Sequence, residues 1–169
     1  MELLIPGLIL VALMVYASTK IKKNAAAAFE RESIETQEFS IVKPAGFLHL
    51  LNNDSEYAFE AYSKEFGQDH AEHVRQATAD VQILAGTGPD EQRNAISGEV
   101  ATIISEKTYG DGIKTVEAER EENGIVVHSF YKIVHESEKV YRLRISVLPE
   151  YKDDYLARIN EMLESFETR

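Results

Sequence analysis

The feature that most constrains this sequence is an uncharged, mostly apolar run near its start, from Leu3 to Thr19. Its principal apolar positions are Leu3, Leu4, Ile5, Leu8, Ile9, Leu10, Val11, Leu13, Met14 and Val15. As a helix rising about 1.5 Å per residue, the run reaches roughly 25 Å, close to the roughly 30 Å hydrocarbon core of a bilayer. A helix that is apolar all round is buried or membrane-spanning. The sequence therefore predicts a membrane anchor within residues 1–23, with a buried core helix as the alternative.

The charges that flank this run favour an uncleaved anchor over a secretory signal. A secretory signal carries its basic residues before the apolar stretch, whereas here Lys20, Lys22 and Lys23 follow it and Glu2 precedes it. Short basic flanks remain on the cytoplasmic side of a membrane. We therefore expect a single-pass protein of a bacterial inner membrane, with its C-terminal domain in the cytoplasm.

Charge and cysteine content exclude some classes of function for the rest of the chain. The net charge of the protein is −11, although three of its 18 basic residues belong to the flank of the apolar run. An acidic surface repels nucleic acid, so we expect no nucleic-acid partner. The chain has no cysteine, which excludes disulfides and thiol chemistry.

Residues 24–38 join the predicted anchor to the remainder of the chain. Four alanines, Ala25–Ala28, precede a segment rich in glutamate, and both residue types favour helices. One interpretation is a helical stalk that holds a domain away from the bilayer. The other is a flexible linker.

Residues 39–169 have the patterns of one α+β domain. Alternating apolar and polar residues predict strands at 39–43, 47–51, 57–64, 75–84, 113–122, 125–135 and 141–147. Asn123-Gly124 is the pair favoured in a type I′ hairpin turn. Pro89 and Asp90 suit a helix start, and the spacing of Ile96, Val100, Ile103 and Ile104 predicts one buried helical face that ends before Gly110.

The last segment predicts a helix over residues 150–166 that packs across the sheet. Its apolar positions fall on a single stripe: Tyr155, Leu156, Ile159, Met162, Leu163 and Phe166.

Taken together, several of these segments resemble the Mog1/PsbP-like superfamily. They are the opening Phe39-x-Ile41-x-x-Pro44-x-Gly46-Phe47, a central helix, a series of antiparallel strands and a closing helix ending Met162-Leu163-Glu164-Ser165-Phe166. The resemblance implies an α/β/α sandwich and a mostly non-enzymatic role, such as binding a small GTPase or supporting photosystem assembly. The matching positions are turn and core residues, so no functional residue transfers, and the lipobox cysteine of exported members is missing here.

Histidine pairs are the first candidates for a metal or catalytic site. His70 and His73 have the i, i+3 spacing that can share a metal on a helix, although no further motif completes the site, and a solvated loop is the alternative. His128 and His135 lie on one strand at an odd separation, so they face opposite sides. We find no catalytic motif and expect no cofactor.

Arg142 and Arg144 are candidates for a partner contact, because they share one side of a predicted strand. Guanidinium groups bind carboxylates and phosphates, and Lys132 would join them if the neighbouring strands pair. The alternative is cross-strand pairing with Glu117, Glu119 or Glu121.

Two functions remain open on this basis. The first is a membrane-anchored, non-catalytic interaction or accessory domain that acts on a membrane-protein partner at the cytoplasmic face. The second is a small ligand-binding or hydrolytic enzyme with a pocket between sheet and helix.

Overall fold

A computed structural model describes residues 4–50, 55–85, 88, 96, 102–110 and 112–169, and the side chains of residues 4–8 and 24 also lie outside the description. Its helices and strands are, in chain order, α1 (Leu4–Ala27), β1 (Glu32–Glu35), β2 (Phe39–Lys43), β3 (Phe47–His49), β4 (Phe59–Ser63), β5 (Ala77–Ala85), β6 (Thr102–Tyr109), β7 (Ile113–Glu122), β8 (Ile125–Glu136), β9 (Lys139–Val147), α2 (Lys152–Ser165) and β10 (Glu167–Thr168). Short 3-10 helices span Asp69–Ala71 and Pro149–Tyr151.

The strands of the described residues form two antiparallel sheets. The large sheet has the order β3-β4-β5-β9-β8-β7-β6, and the small one has the order β1-β2-β10. The predicted α+β fold with an antiparallel sheet is therefore confirmed. Asn123 and Gly124 have φ values of 53° and 80° between β7 and β8, as a type I′ turn requires, so the predicted hairpin is confirmed as well.

Each face of the large sheet has its own apolar core. On the side that we call the helix face, Tyr155, Ile159 and Met162 of α2 share one apolar core with residues of β2, β5, β8 and β9. On the opposite side, which we call the arginine face because it carries Arg142 and Arg144, Ile96 packs against Tyr131, Ile133 and Val140. Strands buried on both faces place the sheet at the centre of the domain.

The predicted central helix is wrong over its C-terminal part. Thr102–Tyr109 form β6, the edge strand that pairs with β7 through a bulge between Ile103 and Ser105. Ile103 and Ile104 are β-branched residues, which fit a pleated strand better than a helix. Ile96 is helical and fully buried, whereas Val100 lies outside the described residues.

The predicted stalk also differs from the structure. Helix α1 ends at Ala27, and Glu32–Glu35 form strand β1 on the small sheet instead of a helix or free linker. The Lys43 ammonium, buried in the domain, donates to the carbonyl oxygens of Ala28 (2.7 Å) and Phe47 (3.1 Å). The Gly46 N–H donates to the Phe29 carbonyl over 2.7 Å. The chain that leaves α1 is therefore fastened directly to the domain.

The C-terminal helix is as predicted in position but narrower in its buried stripe. Tyr155, Ile159 and Met162 are buried, whereas Leu156 is 39% exposed and Leu163 is only partly buried. Both leucines lie on the side of α2 that faces β6–β8, where the helix does not cover the sheet.

Helix α1 contrasts with α2 because its apolar side chains are exposed. The exposed fractions of Ile9, Leu10, Val11, Leu13, Met14 and Val15 range from 54% to 63%. Among the residues whose side chains are described, which in α1 begin at Ile9, no helix has the length and hydrophobicity needed to cross a membrane. Leu3 lies outside the described residues, as do the side chains of Leu4, Ile5 and Leu8.

Candidate functional site

An open cleft of about 580 Å³ lies on the helix face, beside α2. Its floor is the part of β6, β7 and β8 that α2 leaves uncovered, and its wall is one side of α2. The wall comprises Leu156, Asn160, Leu163 and Glu164. These residues are spaced i, i+4, i+7 and i+8, so they form one continuous stripe of the helix.

Two lysines lie in one row across the floor of the cleft. Lys107 on β6 is opposite Thr115 on β7, which in turn is opposite Lys132 on β8. Because adjacent strands are about 4.8 Å apart, the two lysine Cα atoms are separated by roughly 10 Å. Both ammonium groups and the threonine hydroxyl therefore belong to one polar strip within the cleft.

Lys132 is held in place by the end of α2. Its ammonium donates to the carbonyl oxygens of Leu163 (2.7 Å) and Phe166 (2.8 Å), which lie at the C-terminus of the helix. Burial lowers the pKa of Lys132, and the carboxylates of Glu167 and Glu164 oppose that shift.

The other end of the cleft holds an ion pair. Glu117 accepts hydrogen bonds from the Lys152 ammonium (2.7 Å) and from the Ser105 hydroxyl (3.3 Å). Burial acts to raise the pKa of Glu117, but the bond and the charge of Lys152, together with His128 and Ser105, outweigh it, so the pKa is lowered. The imidazole of His128 stacks on Phe130 and has its Nε2 3.5 Å from Glu117. Burial and, next, the charge of Lys152 lower the pKa of His128. Because Ser105 donates to the carboxylate and not to the imidazole, these residues do not form a serine–histidine relay.

The predicted arginine patch is divided by the strand register. Lys132 pairs with Leu143 and so lies on the helix face, whereas Arg142 and Arg144 lie on the arginine face. The expectation that Lys132 joins the two arginines is therefore wrong, although β8 and β9 do pair.

Each arginine has a partner on β5, not on β7 where the predicted glutamates lie. Arg144 Nε donates to Asp80 Oδ2 over 2.8 Å, and Arg142 donates to the side-chain oxygen of Gln82. Asp80 is 7% exposed, and burial raises the pKa of its carboxyl against the opposing charge of Arg144. Cross-strand pairing therefore occupies both guanidinium groups.

The two histidines proposed as metal ligands lie at the surface. His70 is in the 3-10 helix Asp69–Ala71, and His73 is in the turn that follows. Within the described part of the chain, no group of three histidine, aspartate or glutamate side chains is arranged to hold a metal ion. His128 and His135 face opposite sides of β8, as their spacing predicts. On β9 their partners are Val147, which belongs to the core of the helix face, and Val140, which belongs to the core of the arginine face.

Comparison with solved structures identifies the fold. PsbP of the cyanobacterium Synechocystis sp. PCC 6803 has a TM-score of 0.54 and 16% identity, covering 83% of this chain and 92% of its own. The Ran-binding protein Mog1p of Saccharomyces cerevisiae has a TM-score of 0.57 and 12% identity, covering 82% and 95%. LpqN of Mycobacterium tuberculosis, described as involved in cell envelope biogenesis, has a TM-score of 0.52 and 12% identity, covering 82% and 90%.

This chain has the Mog1/PsbP-like fold. The resemblance is structural only, because a shared fold at sequence identities of 12–16% does not imply a shared function. No protein-family model and no curated protein matches the sequence.

The lysine row was not predicted from the sequence. Lys107 fell within the predicted central helix, so it could not be placed beside Thr115 and Lys132. The alternation of Ser105, Lys107 and Tyr109 is the signal that indicates a strand there, since all three line the cleft.

Proposed function

We propose that this protein is a single-pass membrane protein whose Mog1/PsbP-like domain acts as a non-catalytic interaction or accessory domain for a membrane protein at the cytoplasmic face. The observation that carries the proposal is the exposure of α1. Large apolar side chains from Ile9 to Val15 are each more than half exposed, so the domain does not cover them. An apolar surface of this kind requires a cover, and a bilayer supplies one on all sides of a helix.

The basic flank supports the same proposal. Lys20, Lys22 and Lys23 occupy the last two turns of α1, where ammonium groups can reach lipid headgroups. The 24 residues of α1 correspond to about 36 Å of helix. That length includes Leu4–Leu8, whose side chains lie outside the description.

The connection between α1 and the domain gives tethering a physical consequence. Only Ala28–Arg31 separate α1 from strand β1, and the contacts of Lys43 and Gly46 fix that segment. A domain attached in this way stays close to the membrane surface, which raises its effective concentration towards membrane partners.

The known structures with this fold support a protein-binding role in a limited way. Mog1p is a Ran-binding protein, so the fold can present a surface to another protein. LpqN is described as involved in cell envelope biogenesis. We take from these only that an accessory role suits the architecture.

An anchor exchange tests the two halves of the proposal separately. The full chain, a variant with Leu10→Lys and Leu13→Lys, and a chain whose residues 1–23 are replaced by an unrelated membrane helix are each expressed with an affinity tag. We expect the full chain and the exchanged chain to resist carbonate extraction and to capture the same integral membrane protein in stoichiometric amount. Each lysine at a helix centre costs about 2.5–3.5 kcal/mol of insertion free energy, so the double variant should leave the membrane.

The matched control for this experiment is Ser18→Lys with Thr19→Lys, which adds the same charge beside Lys20. Those two positions lie at the predicted headgroup level, so the control should remain in the membrane. Capture that is lost on anchor exchange would assign partner binding to α1 and not to the domain. Release of the full chain by carbonate would contradict the membrane proposal itself.

Ligand binding is the second candidate, and the cleft beside α2 favours it. Ligand pockets typically measure roughly 300–1,000 Å³ and combine apolar walls with a few convergent polar groups. A cleft of about 580 Å³ with two lysines on its floor fits that description. Thermal-shift measurements on the full chain with and without small anions test this candidate, and an unchanged melting temperature throughout would contradict it.

A further inference from the structure

We propose that the cleft beside α2 binds a small amphiphile that carries one carboxylate, with the carboxylate between Lys107 and Lys132 and the apolar body along α2. This inference gives a ligand class to the second candidate function and rests on that candidate. It does not depend on membrane attachment.

The charge of the cleft floor is the first reason for this assignment. Among the described residues, the Lys107 ammonium has neither an ion pair nor a hydrogen bond. Lys132 contacts two neutral carbonyl groups and no carboxylate within 4 Å. Two ammonium groups with no carboxylate of the described residues within ion-pair distance are therefore placed in one row of a domain that is otherwise strongly acidic, and the nearest opposing charges on Lys132 come from Glu167 and Glu164. An anion between them would meet charge-assisted donors from both sides.

The geometry of Lys132 is the second reason. A lysine ammonium has three N–H donors, and two of these are directed to Leu163 and Phe166. Those bonds hold the side chain in one position and leave the third donor for a ligand. Because Thr115 lies between the two lysines, its hydroxyl is available as a further donor to the same carboxylate.

The apolar wall is the third reason, and it distinguishes an amphiphile from a simple inorganic anion. Leu156 is 39% exposed and Leu163 is partly buried, and Ile113 and Phe130 lie on the floor beside them. Covering these side chains with an apolar body gives the ligand hydrophobic stabilisation that phosphate or chloride cannot obtain.

The rim of the cleft contains one opposing charge. Glu164 lines the wall near Lys132, and its carboxylate repels an incoming anion. Glu117, the other carboxylate in the cleft, is already paired with Lys152. The ligand should therefore be a monoanion of modest affinity, and removal of the Glu164 charge should strengthen its binding.

Isothermal titration of the full chain in zwitterionic lipid nanodiscs tests the inference. The probe is 4-phenylbutyrate, and 4-phenylbutanol serves as the neutral partner of the same shape, with empty nanodiscs as the blank. We expect saturable binding of the acid at one site and at least tenfold weaker binding of the alcohol. If the chain does not enter nanodiscs, the membrane proposal fails, and the titration is made in buffer so that the ligand inference is still tested.

Charge variants assign the binding to the cleft. Lys107→Gln should weaken 4-phenylbutyrate binding at least fivefold. The variant should retain the fold of the parent chain because the Lys107 side chain is exposed. Lys114→Gln is the matched control, since Lys114 lies on the next strand at the same end of the sheet but on the arginine face. It should change the affinity by less than twofold. Glu164→Gln should raise the affinity about twofold or more, and Leu156→Glu should abolish binding.

Three results would overturn the inference. They are the absence of saturable binding by the acid, equal affinities for the acid and the alcohol, and equal effects of Lys107→Gln and Lys114→Gln.

Discussion

Helices α1 and α2 show how the same chain uses apolar residues in two opposite ways. In α2, Tyr155, Ile159 and Met162 are buried against the sheet, and the opposite side of the helix is polar. In α1, the residues from Ile9 to Val15 are apolar on every side and remain exposed. Helix α2 is stabilised by the domain, whereas the apolar side chains of α1 require a cover from outside the domain. The comparison separates the residues that maintain the fold from those that form the proposed membrane anchor.

The largest expected difference between the two helices follows from an aspartate placed in each. Ile159 is 0% exposed, so Ile159→Asp removes roughly 1.5–3 kcal/mol of burial and adds an unpaired buried charge. Domain stabilities are about 5–15 kcal/mol, and we expect no cooperative unfolding transition in this variant. Leu13→Asp should leave the domain's melting temperature unchanged while reducing membrane retention. Thermal circular dichroism of both variants in detergent checks this, and similar melting of Ile159→Asp and the parent chain would refute the role of α2.

The next effect concerns charges that are buried in the domain. Arg144→Met leaves Asp80 buried without its cation, and removal of one member of such a pair typically costs about 3–5 kcal/mol. Restoring neutrality with Asp80→Asn in the same chain should recover part of that loss. Lys20→Met on the exposed helix is the control and should not alter domain stability. Urea unfolding gives the free energy of unfolding of all three variants. Equal stability of Arg144→Met and the parent would show that the Arg144–Asp80 pair does not stabilise the domain.

A smaller effect is expected at the junction between α1 and the domain. Lys43→Met removes the donor to the Ala28 and Phe47 carbonyl groups. The bond to Ala28 is only part-buried, so water can replace it, and the one buried acceptor left unsatisfied, the Phe47 carbonyl, costs about 1–3 kcal/mol. Hydrogen exchange at the Gly46 N–H, which is bonded to Phe29, should also accelerate. Lys64→Met, an exposed substitution near Phe29, is the control. Exchange that stays as slow as in the parent would mean that the junction does not depend on Lys43.

The smallest expected effect is a pH dependence that arises within the domain. Burial lowers the pKa of His128, and Lys152 lowers it further against Glu117 and Glu119, so the unfolded chain binds a proton at a higher pH than the folded one. This contribution is present above the ordinary histidine pKa of about 6.5 and decreases as the pH falls through the lowered value. His49, whose pKa is also lowered mainly by burial, acts in the same direction.

We therefore expect the melting temperature to decrease from pH 7 to pH 5, and His128→Gln to reduce that decrease. His73→Gln, at an exposed turn position, is the comparison variant. Differential scanning calorimetry at several pH values in this range gives the slope of melting temperature against pH for each variant. An identical slope for His128→Gln and the parent would remove His128 as a source of the pH dependence.

Local signals predicted much of this fold. The Asn123-Gly124 turn was found because type I′ geometry requires residues that tolerate positive φ, and both do so here. Strand β9 is predicted correctly because apolar and polar residues alternate in the sequence from Tyr141 to Val147. Strand β6 was missed because Ile96, Ile103 and Ile104 also match a helical period. The segment forms a strand because it pairs with the distant strand β7, and no local sequence pattern indicates such pairing.

The candidate site was less predictable for a related reason. Lys107 and Lys132 are brought together only by the registers of β6 with β7 and of β7 with β8. The same registers separate Lys132 from Arg142 and Arg144, because a shift of one residue moves a side chain to the other face. Sequence patterns indicate that a strand exists, but they do not indicate which residues of its neighbours lie opposite.

The most direct test of the central claim is the accessibility of a single cysteine. The chain has no cysteine of its own, so Glu138→Cys in the exposed turn between β8 and β9 provides one site on the domain. We expect the full chain to remain in the membrane pellet after carbonate extraction, unlabelled by an impermeant maleimide in intact cells and labelled once the cells are lysed. Recovery of the chain in the soluble fraction, or labelling in intact cells, would contradict a domain tethered at the cytoplasmic face.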